Sequence, residues 1–198
     1  LYAGLEQLAG YLFGDWDGYK LDLCLIDANW GESRDTVYSF ARQSPYRILP
    51  SHGKWVGATS RPISEYRGPG TKGLQWMTPP AKRGETRHVT FDANFWKSYT
   101  AERLLAAPGE IGSLTFCKGR DLRMMADHLT AETRIKVEAK GRTVYEWKER
   151  PDKPDNHWWD CLIGTALAAD CCGIKLPTMQ QKRPSRRRRG TKKRVSYL

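Results

Sequence analysis

No apolar run in this sequence approaches the about 20 residues that a membrane-spanning helix needs, which argues against a helical span. No charged-then-apolar leader opens the chain either. Its five cysteines, Cys24, Cys117, Cys161, Cys171 and Cys172, include no C-x-x-C pair, and three lie inside apolar segments. That argues against a zinc site or a disulfide framework and for buried free thiols in a reducing compartment. The phosphate-loop pattern G-x-x-x-x-G-K-[ST] is missing too, since GPGTK at 68–72 lacks the spacing and follows no apolar strand. Acidic residues are absent from one region, where nine basic residues and no acidic one lie between Lys182 and Arg194. These absences describe a soluble, intracellular protein without a P-loop motor. The first residue is Leu1 rather than Met, which suggests a fragment or a processed product.

What is present is enough for a real core. The chain has 198 residues with 8 Trp, 9 Tyr and 5 Phe, a composition unlike that of a disordered chain. Nine of its net eleven positive charges sit in the 182–194 run, so residues 1–181 carry only +2. The body is nearly neutral and the tail is cationic.

Residues 21–31, LDLCLIDANWG, organise the rest. Leu23, Cys24, Leu25 and Ile26 form an unbroken apolar run of strand length, the pattern of a strand covered on both faces in the middle of an α/β sheet. Asp27 ends it. A carboxylate there stands in the crevice where open α/β sheets place their ligands. The alternative is that Asp27 merely begins a turn completed by Asn29 and Gly31.

Leu1, Leu5, Leu8 and Leu12 predict a short amphipathic helix before this strand. After it, Ser33 is a candidate N-cap for a helix through Val37, Tyr38, Phe40 and Ala41 that ends near Pro45. Tyr46 to Leu49 reads as the next strand, closed by Pro50 to Gly53. Residues 53–86 hold ten Gly or Pro among many basic residues, with Trp55, Tyr66 and Trp76 interleaved. They read as a long irregular insertion with one short strand at Leu74 to Met77, either functional or a solvated connector. The alternation in 87–92, RHVTFD, is that of a second strand ending in an acid, Asp92. Asn94 is placed to cap the helix that follows, through Trp96, Tyr99 and Leu104 to Pro108 and Gly109.

Leu114 to Cys117 reads as a short strand, Met124 to Leu129 as a helix, and Thr133 to Val137 with Thr143 to Trp147 as a hairpin turned at Lys140 and Gly141. Asp155 is a candidate N-cap for a last helix in which Trp159, Leu162, Ile163, Ala166 and Leu167 share one face. Asp160 lies about 20° from Leu167 on the helical wheel, at the border of that face. Gly173 ends the helix. His52, His88 and His128 show no ligand spacing and read as structural or solvated, and Glu132, Glu138 and Glu146 read as surface charge around the hairpin, with an outer ligand as the alternative.

Two strand-end acids and one helix acid on the same sheet could meet at one edge. Without a counter-charge, at least one of three such carboxylates stays protonated at pH 7. Mg²⁺ or Mn²⁺ removes that conflict, and two such ions about 3.5–4 Å apart support phosphodiester hydrolysis.

LCLIDANWGESRDTVYSFAR, SHGKWVGAT, RHVTFDANFWKSYTAERL, MMADHLTAE and VYEWKERPDKPDNHWWDCLIGTALAA together resemble the C-terminal nuclease domain of the terminase large subunit of lambda-like tailed phages, over roughly residues 20 to 173. The resemblance implies an α/β, RNase H-like fold, with a mixed central sheet flanked by helices, a long loop insertion and a β-hairpin. Residues 1–19 would be a lead-in helix or linker remnant, 20–175 the nuclease domain and 176–198 a basic tail. It implies a two-metal, Mg²⁺- or Mn²⁺-dependent endonuclease that cuts concatemeric double-stranded DNA in the host cytoplasm. Its partners would be the terminase ATPase domain, the small terminase subunit and the portal. Carried over by position, the catalytic and metal-binding acids are Asp27, Asp92 and Asp160.

The commoner terminase pattern has a His followed directly by two acids, whereas this chain has His157, Trp158, Trp159 and Asp160, so Asp155 or His157 is a further candidate ligand. Lys97 matches a basic position of the lambda-like group and is a candidate phosphate contact, with a solvated lysine as its alternative. Arg186, Arg187, Arg188, Arg189, Lys192, Lys193 and Arg194 suit salt-dependent, sequence-blind contact with DNA phosphates. Two readings compete with the nuclease: a non-catalytic module that grips DNA or docks to a motor or portal, and another RNase H-like enzyme of integrase or resolvase type.

Overall fold

The computed structural model describes residues 1–117 and 121–174, so the basic run at 182–194 and the expected tail at 176–198 lie outside the described residues. A five-stranded mixed sheet carries the rest of the structure. It is made of β1 (Cys24–Asp27), β2 (Ile48–Lys54), β3 (Thr71–Gly73), β4 (Trp76–Thr78) and β5 (Val89–Asp92), in the order β1-β2-β5-β4-β3. The first three strands in that order are parallel, while β4 runs antiparallel to β5 and β3 antiparallel to β4.

Helices cover both faces. On one, α1 (Tyr2–Leu12) and α2 (Arg34–Gln43) bring Ala9 and Phe40 onto Ile48, with Cys24 and Ile26 beside them. On the other, α3 (Ala93–Leu105) and α5 (His157–Cys171) pack Trp96, Trp159, Ile163 and Leu167 against Val89 and Leu25. The face that α5 buries is the one predicted for it from the 3.6-residue period. A short helix α4 (Arg123–Leu129) leans on α5. The hairpin of β6 (Glu132–Ala139) and β7 (Arg142–Glu149) forms its own two-stranded sheet and sends Trp147 into the core. Its turn is the expected one, with Lys140 at φ +51° and Gly141 at φ +71°. Two left-handed residues in succession match the twist of the paired strands.

Several elements depart from the sequence reading. The acid-tipped β1 is an edge strand, not a central one, and its apolar run is explained by the helices over both of its faces. β2 runs through Pro50 to Lys54 rather than closing there, because proline's φ suits an extended strand and only one ladder donor is lost. The insertion contributes two strands, β3 and β4, rather than one. It is fastened to the body where Trp76 Nε1 donates to Asp170 Oδ2 at 2.6 Å. Leu114 to Cys117 is not a strand, since the Leu114 amide bonds the Arg103 carbonyl at the end of α3.

Helix starts shift by one or two residues. Asp92, not Asn94, caps α3 by accepting the Phe95 amide at 3.0 Å. Asn94 is instead buried as a cross-link, accepting from the Trp147 amide at 3.0 Å and donating to the Val56 carbonyl at 3.4 Å. Asn156 rather than Asp155 precedes α5, while Ser33 stands at the N-cap position of α2 as expected but turns its hydroxyl to the Trp30 carbonyl. All five cysteines are free thiols, but none is fully buried, and Cys117 and Cys161 are exposed.

Candidate active site

β1 stops at Asp27 because the next residues turn on its side chain. The carboxylate accepts the Asn29 amide at 3.0 Å, and Asn29 Nδ2 donates to the Gly53 carbonyl at 3.0 Å. With its NH₂ group so used, Asn29 presents Oδ1 to His52 Nδ1 at 2.8 Å, which requires that nitrogen to carry the proton. Neutral His52 then accepts the Tyr38 hydroxyl at Nε2, 2.7 Å away. Burial holds His52 below the ordinary imidazole range, with His88 and Arg34 acting in the same direction and Asp27 opposing. His52 therefore links Tyr38 to Asn29 in a bonded chain that ends on Asp27, a role with no mark in the sequence.

Asp160 comes to the same edge from the first turn of α5. Burial raises its pKa; Lys97 opposes, and Glu132 and Asp27 add to the rise. Helix α5 packs against β1, so acids 133 positions apart in sequence are carried by adjoining elements. Lys97 Nζ lies 2.5 Å from Glu132 Oε1 and 3.6 Å from Asp160 Oδ1. Its side chain is 14% exposed, that of Glu132 2% and that of Asp160 55%. The ammonium is thus held inside, while Asp160 stands at the lip with one side open to solvent. Asn156 Nδ2 secures Glu132 from behind at 2.8 Å. Glu132 is not surface charge, as its sequence context suggested, and Lys97 is not a solvated lysine.

Asp92 is placed differently. It is 8% exposed and faces a recess of about 320 Å³ with Asn94, Tyr99, Arg142 and Tyr145 in its lining. Burial pushes its pKa up to about 6, against the pull of the Phe95 and Asn94 amides and of Arg142. In the sheet register Asp27 is level with Ser51, and Asp92 with Lys54. Asp92 is therefore three residues, roughly 10 Å, farther along the strands and two strand spacings, again roughly 10 Å, across. One ion cannot touch both carboxylates at that separation. Among the described residues no three His, Cys, Asp or Glu side chains are grouped closely enough to hold an ion by themselves. Asp155 and His157 form an exposed pair, 3.7 Å apart.

The family model described as terminase large subunit gpA, endonuclease domain, matches residues 10–182. The chain belongs to that family. No curated protein and no solved structure matches it. As a terminase endonuclease domain it has a nuclease role in DNA packaging, and its substrate is DNA. Among its described residues no helix is long and apolar enough to cross a membrane.

The terminase site has the donor chemistry that hard divalent cations take. Asp27 and the open side of Asp160 supply carboxylate oxygens from two elements. Mg²⁺ is commonly held by one or two carboxylates together with substrate phosphate, so few protein ligands are needed.

Proposed function

We propose that this terminase domain is a Mg²⁺- or Mn²⁺-dependent endodeoxyribonuclease on an RNase H-like sheet, cutting concatemeric double-stranded DNA by phosphodiester hydrolysis. Asp27 and Asp160 would hold the metal, and a DNA phosphate would complete its shell. The observation that carries the reading is the packing of α5, with Asp160 on its first turn, against β1, the strand that Asp27 ends. Bound there, the metal would lower the pKa of a water and offset charge on the scissile phosphate.

The protein groups have separable tasks. Asn29 and His52 keep the Asp27 carboxylate oriented. Glu132 holds Lys97 next to Asp160, where its ammonium spares the acids their mutual repulsion and offers a cation to an incoming phosphate. Asp92 is proposed as the third acid. What supports this is its energetic cost, because a buried carboxylate with only amide partners and a raised pKa is a common mark of a functional group. Its offset assigns it to a second ion rather than the one between Asp27 and Asp160.

The competing reading, a module that grips DNA or docks a motor without cutting, draws on the ammonium of Lys97, which already offsets one of the cluster's negative charges. Plasmid cleavage decides between them. The nuclease reading expects nicked or linear product with Mn²⁺, none with EDTA, and none from folded Asp27→Asn or Asp160→Asn. Uncut plasmid with every divalent metal would leave the gripping module.

A further inference from the structure

The insertion between β2 and β5 gathers positive charge on one ring. Lys54 Nζ lies 5.3 Å and Arg61 Cζ 5.2 Å from the ring centroid of Tyr66, so two cations share that ring. Lys72 joins them, donating from Nζ to the Tyr66 carbonyl at 2.5 Å. Arg61 also donates to the carbonyl of Glu65, the residue before the ring. All three cations are exposed, whereas Tyr66 is half-buried. Their footing is fixed, because Ile63 is buried and the single helical turn Ile63–Glu65 that it opens packs on β4.

No carboxylate balances this cluster. Among the described residues none of the three is in salt-bridge contact with an acid, whereas Arg134 and Lys136 of the hairpin each have one. Cations that share a ring repel one another across a distance comparable with the screening length, about 8 Å at physiological salt, and a polyanion relieves that repulsion. The place of the cluster selects the polyanion. β1, β2 and β5 are parallel, so their ends Asp27, Lys54 and Asp92 lie along one edge of the sheet, with Lys54 level with Asp92. The cluster thus starts at the edge that carries two of the acids and extends onto the insertion. Duplex DNA presents one phosphate charge per about 1.7 Å of its axis, and fixed cations neutralise those phosphates whatever the bases.

We propose that Lys54, Arg61 and Lys72, gathered on Tyr66, bind the phosphate backbone of duplex DNA and seat it beside the acid edge. Tyr66 is a positioning residue: its ring and its carbonyl hold the cations in place before DNA arrives, which lowers the ordering cost of binding. The inference rests on the reading that this domain cuts DNA, and deepens it by naming a surface that places the duplex. It gives the insertion a task in place of a solvated connector.

Binding of the whole chain to two closed fluorescent duplexes of unrelated sequence, measured across a salt series in EDTA so that no cleavage intervenes, tests this. Lys54→Gln, Arg61→Gln and Lys72→Gln are each expected to lower the slope of log K against log salt by about 0.9 and to weaken binding about 8-fold at about 0.1 M salt, alike on both duplexes and with melting temperature unchanged. Lys72→Arg keeps the charge and should bind as the unsubstituted chain does. Lys20→Gln, before the start of β1 and so toward the opposite edge of the sheet, should leave the slope unchanged. A triple Gln variant with the slope and affinity of the unsubstituted chain, an equal loss in Lys20→Gln, or a loss confined to one sequence would overturn the proposal. Failure of the unsubstituted chain to bind either duplex would overturn it as well. No metal is present in these measurements, so plasmid cleavage still decides the nuclease reading separately.

Discussion

Asp92 is where function and stability pull in opposite directions. Its folded-state pKa of about 6 lies above the ordinary 3.8, so the native state binds this proton more tightly than the unfolded chain does. The favourable contribution is complete below the unfolded pKa and is lost as pH climbs from about 4 to about 6; the loss is at most about 3 kcal/mol. Asp92→Asn keeps an oxygen for the Phe95 amide without the charge. It is expected to raise stability at pH 7 by up to that amount, to flatten the dependence of urea midpoint on pH between 4 and 6, and to abolish metal-dependent cleavage. A stabilised variant that still cuts would make Asp92 a helix cap and nothing more. Glu132→Ala strands the buried Lys97 with only Asp160 as partner. Urea melts should show a loss of about 3 kcal/mol, the low end for breaking a buried pair. Neither residue was equally visible beforehand. Asp92 stood out as an acid at the end of an alternating strand. Glu132 did not, because its partner Lys97 is 35 positions away and nothing local marks a carboxylate that folding will enclose.

At the scale of elements, strong periodicity was readable and short pieces were not. The face of α5, the hairpin with its Lys140-Gly141 turn and the acid-tipped strands all follow from spacing. β3 and β4, three residues each, are defined by pairing that no local pattern announces. Gly73 shows how tight that pairing is, because a Cβ there would fall 2.2 Å from the Trp76 indole. Gly73→Ala is therefore expected to cost about 1–3 kcal/mol by overpacking, read as a lowered melting temperature. Caps were misplaced by one or two residues wherever two capping side chains competed, as with Asp92 and Asn94. The chain from Tyr38 through His52 to Asn29 joins three elements at the Asp27 turn. His52→Ala should weaken Mn²⁺ binding about 10- to 100-fold, the usual effect of losing a group that orients a ligand, and His52→Asn, which retains a donor near Nδ1, should recover part of it. Unchanged Mn²⁺ affinity in His52→Ala would show that the chain supports the turn without serving the metal.

For the whole molecule, the order of the sheet decides what meets. Spacing alone offered three acids without fixing which would converge, and it put β1 at the centre instead of the edge. The resemblance to terminase nucleases named the family, and the family match over residues 10–182 bears the family out. Because burial raises both Asp92 and Asp160, the acids must lose protons before a cation can bind, and cleavage is expected to fall as pH drops through about 6. A rate independent of pH between 5 and 8 would count against a cation held by these groups.

The account turns on Asp27 and Asp160 sharing one ion. Titration of Mn²⁺ into the chain, followed by electron paramagnetic resonance, tests this in Asp27→Asn, in Asp160→Asn and in the double variant. If the ion is shared, each single substitution removes the same bound Mn²⁺ and the double variant loses no more. Independent, additive losses, or full Mn²⁺ occupancy in either folded single variant, would contradict it.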